Sequence, residues 1–293
     1  MEKKTNQQIA MQVSWISVGS NLVLSVFKLF AGIFGNSAGV VSDAVHSLSD
    51  VFSTFIVMIG INMSNKAADT KHPYGHERFE SVAAIILAGI LGLVALGIGY
   101  SGIQKVISGE YLEMIVPGRI ALLAAGVSIV AKEVMYRYTK IAAKKINSGA
   151  LMADAWHHRS DALSSIGSLI GVLGSRIGYP VMDALAAIVI SFFIIKVAVS
   201  IFLDAVGKMT DKSCDEAMVE EMKKIILAQE GVKGLDQIRT RQFGDRVYVD
   251  VEISADGQET LASTHQLAHQ VHDAIEEHFE NVKHCMVHVN PEE

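Results

Sequence analysis

The chain has 293 residues, of which half are hydrophobic, and its formal net charge is −6 at pH 7. The mean hydropathy of +0.33 is unusually high for a soluble protein of this length, which argues against an ordinary soluble enzyme. The acidic charge balance argues against nucleic-acid binding. The two cysteines, which have no CxxC spacing, imply no disulfide framework.

Six apolar stretches occupy the first two thirds of the chain, each long enough to cross a hydrocarbon core of about 30 Å. They cover approximately residues 12–34, 38–64, 80–105, 118–138, 150–175 and 180–204. We therefore predict an all-α, six-helix transmembrane transport domain over residues 1–206. Lysine and arginine concentrate in the links after the second and fourth stretches, so the positive-inside rule places both termini in the cytoplasm. Short loops favour a bacterial inner (plasma) membrane.

The chain after residue 207 has the composition of a soluble domain. Its predicted helices and strands alternate as αββαβ, with helical periodicity over 213–229 and 261–280 and strand periodicity over 236–243, 246–254 and 284–289. We predict a small α+β domain over residues 207–293, with dimerisation supplementing a modest core. It contains 18 acidic and 9 basic residues, a balance that suits cations as ligands.

Two His/Asp pairs with a four-residue spacing lie inside apolar stretches: His46 with Asp50, and His157 with Asp161. Residues i and i+4 of a helix share one face, so each pair presents an imidazole beside a carboxylate. At about 1.5 Å per residue, both pairs lie near the bilayer midplane. Two such helices facing each other offer the four N and O ligands that a zinc-like cation prefers.

Ionisable side chains at this depth are costly, so we predict that the two pairs form a metal transport site. The alternative is that they only join helices through hydrogen bonds. Asp43 and Asp154 each precede a pair by one helical turn. We expect these two carboxylates to hydrogen-bond to the ligands or to line the cation entry path.

Four motifs occur in order along the chain: SDAVHSLSD, DTKHPYGHERFES, ADAWHHRSDALSSIG and VHVNP. Together they resemble the cation diffusion facilitator family of divalent-metal/proton antiporters, and the resemblance covers nearly the whole chain. It implies six spans followed by a ferredoxin-like cytoplasmic domain, and a homodimer. It also implies export of divalent transition-metal cations from the cytoplasm in exchange for protons, and not an enzymatic reaction.

The resemblance assigns the transport site to His46, Asp50, His157 and Asp161, a set similar to that of the zinc-selective branch of the family. Zinc is therefore the expected substrate, with cadmium, iron, cobalt and manganese as further candidates. The ligand chemistry agrees, because imidazole favours zinc-like ions whereas manganese prefers oxygen ligands. Asn or Asp in place of His is typical of the manganese members.

Two further metal sites are implied by the resemblance. One lies in the loop after the second stretch, at Asp69, His72 and His76. The other lies in the cytoplasmic domain, where zinc would act as a regulator, at Asp236, Asp250, His265 and His288. The family has histidine where this chain has Asp236 and Asp250, so we expect weaker binding there. His269 and His272 can substitute as ligands or face solvent, and Cys285 is either a ligand or a small buried side chain.

Two other classes of protein are compatible with a buried metal site. A membrane-anchored metalloenzyme needs three ligands, an open coordination position and a general base, whereas the predicted set has four ligands. A membrane-anchored metal sensor acts through the soluble domain and would survive loss of the intramembrane pairs. Metal transport therefore remains the leading hypothesis.

Overall fold

The computed structural model describes residues 5–34, 38–109, 119–176, 179 and 181–292. The chain divides into two compact units, residues 1–205 and residues 206–293. A few side chains within the helices, those of Asp43 and His46 among them, lie outside the description.

The described part of the first unit consists of long helices, as its apolar composition predicts. They are α1 (Asn6–Phe34), α2 (Ala38–Ser64), α3 (Arg78–Ser108), α4 (Arg119–Lys145), α5 (Gly149–Arg176) and α6 (Met182–Met209). Within the described residues, three helical stretches are long and apolar enough to cross a membrane: Asn6–Ala31, Arg78–Ser108 and Ile188–Met209. The helical membrane class is confirmed, and the full count of six spans stays a prediction.

Small side chains let the helices of the first unit pack closely. Ala10, Ala83, Ala143, Ala150 and Ala153 are buried in one hydrophobic cluster with larger side chains of α1, α2, α3 and α5. The α4 helix continues to Lys145, beyond the predicted end at residue 138, because its last turns contribute to this same cluster. The cluster holds α2, α4 and α5 next to one another.

The second unit has the predicted αββαβ order, which confirms an α+β fold. Its elements are α7 (Glu216–Leu227), β1 (Gly234–Phe243), β2 (Arg246–Asp256), α8 (Leu261–His278) and β3 (Val282–Glu292). β1 and β2 form an antiparallel hairpin through Gly244, whose φ of 67° suits glycine. The α8 crossover returns the chain so that β3 pairs parallel to β2, in the strand order β1-β2-β3.

Both helices of the second unit pack on one face of its sheet. The core is formed by Val249, Val251 and Ile253 of β2 together with Met222 and Ile226 of α7 and Val271 and Ile275 of α8. The intervening residue Asp250 is exposed, as the two-residue period of a strand requires. One face of the sheet therefore carries the core and the other carries polar side chains.

Candidate metal transport site

Four ionisable side chains from three helices meet inside the first unit. They are Asp50 of α2, Lys132 of α4, and His157 and Asp161 of α5, with exposed fractions of 2%, 1%, 6% and 8%. Ligand atoms of Asp50, His157 and Asp161 all lie within 4.8 Å of one another. One imidazole and two carboxylates at this separation match the donor set that a divalent transition metal uses.

Direct polar contacts connect these side chains. Nε2 of His157 lies 3.2 Å from Oδ1 of Asp50. Nζ of Lys132 donates to Oδ2 of Asp50 and also to Oδ2 of Asp161, the latter at 2.9 Å. The ammonium thus bridges two carboxylates, and its positive charge compensates theirs in a desolvated interior.

Lys132 is a member of this cluster that the sequence analysis did not identify. The signal was present, because a lysine lay in the middle of the fourth predicted span, where an ionisable side chain is costly. The sequence separation between Lys132 and the two His/Asp pairs follows no helical repeat. The three helices come together only in the folded protein, so the sequence did not show that Lys132 meets the pairs. The structure therefore adds a cation to a site predicted from anionic and neutral ligands alone.

Side-chain contacts hold α4 against α5 next to the buried cluster. Oε1 of Glu133 accepts from Nη1 of Arg159 at 3.1 Å. The guanidinium carbon of Arg159 lies 4.5 Å from the centre of the Tyr136 ring, and that ring lies 5.3 Å from the ring of Trp156. An ion pair, a cation–π contact and an aromatic pair therefore join the two helices close to the site.

Asp154 lies in a separate polar group beside the site. Its Oδ1 accepts from Oγ1 of Thr54 at 3.2 Å, and its Oδ2 lies 3.6 Å from Nε2 of His158. The same nitrogen of His158 is 3.2 Å from Oγ of Ser17. Among the described residues, Asp154 thus contacts Thr54 and His158 and no predicted ligand, so within this part of the chain it acts on the orientation of α5. Asp43 and His46 lie outside the described side chains.

The predicted loop site is brought together by local backbone structure. Oδ1 of Asp69 accepts from the backbone N–H groups of His72 at 2.7 Å and Lys71 at 2.8 Å, which lowers the pKa of Asp69. His72 Nδ1 lies 3.3 Å from that oxygen, and His76 Nε2 lies 3.5 Å from Oδ2. The ligand atoms all lie within 4.8 Å of one another, a spacing that a single metal ion can bridge.

The four predicted ligands of the cytoplasmic domain are not brought together in the same way. Asp236 lies at a bulge in β1, and its Oδ2 accepts from Nδ2 of Asn290 at 2.8 Å. Asp250 and His288 are exposed on β2 and β3, whereas His265 is exposed on α8, in the other layer. Among the described residues of one protomer, the metal-compatible clusters do not include this set.

Two protein families match the chain in succession. The cation efflux transmembrane domain matches residues 14–209. The cation efflux protein cytoplasmic domain matches residues 214–292. These ranges cover the helical unit and the α+β unit respectively.

Proteins of similar length are also similar to this chain in sequence. The chain is 34% identical to the manganese efflux system protein MneP of Bacillus subtilis, over 97% of each chain. It is 32% identical to the magnetosome protein MamB of a Magnetospira species, over 96% of this chain and 94% of that one. Among solved structures, a cadmium form of the MamM C-terminal domain matches 27% of this chain and 96% of its own, with 22% identity and a TM-score of 0.26. From the two family matches and the full-length relatives, we conclude that the chain belongs to the cation efflux, or cation diffusion facilitator, family of divalent-metal transporters.

Proposed function

We propose that the protein exports a divalent transition metal from the cytoplasm and that Asp50, His157 and Asp161, together with His46, bind the metal during transport. The observation that supports this most directly is the meeting of three buried ligands from two helices within 4.8 Å. Burying two carboxylates costs several kcal/mol per ion unless positive charge compensates them, and Lys132 supplies one positive charge against two negative ones, so the site is suited to a dication. The four-ligand set also leaves no open coordination position for a hydrolytic water, which separates this proposal from the metalloenzyme alternative.

Lys132 is proposed to act as an internal competitor for the metal. Its ammonium donates to one oxygen of Asp50 and one of Asp161, and a dication that used those oxygens would displace it. Loading therefore requires Lys132 to move away from both carboxylates, and its return offsets the charge that the departing metal leaves behind. A competing cation of this kind keeps metal affinity moderate, which favours release on the far side.

Protons are the proposed exchange partner. Imidazole and carboxylate groups bind either a proton or a metal, so loading the site releases protons and protonation expels the metal. Helices that rock around a midplane site would expose it to each side in turn, as in other secondary transporters. The proposed location is a bacterial inner membrane with both termini in the cytoplasm, and the basic links after the second and fourth stretches support this orientation.

Zinc is the proposed cargo on the basis of the ligands, because imidazole favours zinc over manganese. Manganese is a second candidate, since the relative MneP, at 34% identity over 97% of the chain, is named a manganese efflux system protein. The predicted homodimer is supported by the match to the family's cytoplasmic domain. Metal bound in that domain is proposed to regulate transport and not to carry it.

Flux in sealed vesicles tests the proposal. Purified protein is reconstituted with a metal-sensitive dye inside, and zinc, manganese, cadmium, iron and cobalt are added in turn with and without a pH gradient. We expect zinc flux that is accelerated by an opposing proton gradient. Flux of manganese alone would transfer the cargo assignment to manganese, flux without dependence on the gradient would remove the antiport step, and no flux of any metal would favour the sensor.

A further inference from the structure

Three side chains meet where α8 and β3 adjoin in the second unit, at His272, Glu276 and His284. Nε2 of His272 lies 3.3 Å from Oε1 of Glu276, and Nδ1 of His284 lies 3.6 Å from the same oxygen. The three ligand atoms all lie within 4.8 Å of one another. This cluster contains none of the four cytoplasmic ligands predicted from the sequence, although His272 was considered there as a substitute ligand.

Backbone contacts of Cys285 fix the orientation of two of these side chains. Nδ1 of His272 lies 2.6 Å from the carbonyl oxygen of Cys285, which can only accept, so this nitrogen carries the hydrogen. The lone pair of the neutral imidazole is then on Nε2, the atom that faces Glu276. The backbone N–H of Cys285 donates to Oε1 of Glu276 at 3.0 Å, which holds the carboxylate in place.

The thiol of Cys285 does not belong to this cluster. The side chain is 1% exposed and packs in the hydrophobic core of the domain. The donor set therefore consists of two imidazoles and one carboxylate.

The spacing of the donor atoms fits a tetrahedral metal ion. Bonds of about 2.0–2.1 Å at tetrahedral angles place neighbouring ligand atoms about 3.3–3.4 Å apart. The two separations from Oε1 of Glu276, 3.3 and 3.6 Å, are close to this value, and the two imidazole nitrogens lie within 4.8 Å of each other. The side chains of His272, Glu276 and His284 are 28%, 31% and 48% exposed, so solvent can supply a fourth ligand.

We propose that His272, Glu276 and His284 form a binding site for a zinc-class divalent cation, separate from the transport site and from the predicted regulatory set. Two imidazoles favour zinc, cobalt and nickel over manganese and magnesium. The bound ion connects the last turns of α8 to the first residues of β3, and it therefore stabilises the α+β domain. This site therefore binds zinc even if the transported metal is manganese.

The test is the zinc stoichiometry of the full-length protein in detergent, measured by equilibrium dialysis. His284→Ala and Glu276→Gln are each expected to lower bound zinc by one ion per protomer and to reduce the zinc-induced rise in melting temperature. His278→Ala is the matched control, because His278 is an exposed histidine of the same helix that lies 3.1 Å from Glu221. Manganese stoichiometry is expected to be unchanged in all three variants.

The test of this zinc site is independent of the proposed transport site. The loss of one zinc ion is expected to persist in an Asp50→Asn background, where the transport site is disabled. Unchanged zinc stoichiometry in both His284→Ala and Glu276→Gln would overturn the site, and so would an equal loss in His278→Ala. Circular dichroism of each variant identifies any that do not fold, and since His284 is half-exposed, its substitution is expected to leave the fold intact.

Discussion

At the scale of single residues, Lys132 balances part of the negative charge of the buried cluster. Lys132 is 1% exposed and bridges two carboxylates that are themselves almost fully buried. Breaking a buried ion pair by removing one partner typically costs about 3–5 kcal/mol, because the other charge is left uncompensated. Substitutions in this group therefore change both metal binding and stability, and experiments must separate the two effects.

Asp50→Asn and Asp161→Asn are expected to lower metal flux at least about a hundredfold. Mutating a group that only hydrogen-bonds to a metal ligand already lowers metal affinity or activity about 10–100-fold, and these two carboxylates are proposed as ligands themselves. Vesicle flux is the measurement. Asp215→Asn is the matched control, since Asp215 is an exposed carboxylate whose side chain makes no capping hydrogen bond at α7. Wild-type flux in either buried variant would refute the assignment of the transport site.

Lys132→Met is expected to raise metal affinity on the order of tenfold, since about 1.4 kcal/mol of competing ion-pair energy corresponds to that factor. The metal-free variant should also unfold at a lower temperature, because two carboxylates then face each other without a cation, and added metal should reverse this. Metal titration and thermal unfolding in detergent measure the two effects. Lys105→Met is the control, because Lys105 lies in the last turn of α3 and outside the buried cluster. Unchanged or weaker metal affinity in Lys132→Met would contradict the competitor role.

At the scale of structural elements, the loop between α2 and α3 shows how short-range backbone structure builds a ligand cluster. Gly75 lies between His72 and His76 with a φ of 103°, and its N–H donates to the carbonyl oxygen of His72 at 3.0 Å. A side chain at such a φ costs about 1–3 kcal/mol. The conformation of one glycine therefore brings the two histidine rings to a centroid separation of 4.5 Å.

Gly75→Ala is expected to weaken metal binding at the loop site about tenfold, because strain of about 1.4 kcal/mol shifts an equilibrium by that factor. Binding to the full-length protein is measured with and without His72→Ala, so that the loop contribution is isolated. Gly126→Ala is the control, since a Cβ at that helical position meets no atom within 4 Å. Equal loop affinity in Gly75→Ala and Gly126→Ala would show that this turn does not organise the ligands.

At the scale of the whole molecule, the proposed transport site and the proposed regulatory site belong to different units. The buried cluster belongs to residues 1–205, and the α+β domain belongs to residues 206–293. The domain has its own hydrophobic core and an excess of acidic residues. A ligand changes transport only to the extent that it binds two conformations with different affinity, so regulation through this domain is expected to be graded.

His265→Ala and His288→Ala are expected to reduce vesicle flux only in part, with His278→Ala as an unaffected control. The reason is that these histidines are exposed in the α+β domain and belong to the predicted regulatory set, outside the buried cluster. Sedimentation of the same variants with and without zinc measures whether the protein dimerises and whether metal shifts the equilibrium. Complete loss of flux in a folded His288→Ala protein would show that the domain is essential to transport.

The sequence by itself determined the fold class and identified three of the four side chains in the buried cluster of Asp50, Lys132, His157 and Asp161. Apolar length identified the helical unit, because an apolar stretch of this length is stable only in a membrane or a large core. The i, i+4 pairs identified Asp50, His157 and Asp161, because helix geometry alone places such residues on one face. The strand and helix periodicities likewise predicted the αββαβ order of the second unit.

Only the tertiary structure decided which side chains from different elements meet. Lys132 joins Asp50 and Asp161 because α4 packs beside α2 and α5, and no local pattern encodes that approach. His284 likewise meets His272 and Glu276 only through the packing of β3 against α8. Contacts within one helix follow from a fixed rise and rotation per residue, whereas contacts between elements depend on how the whole core packs.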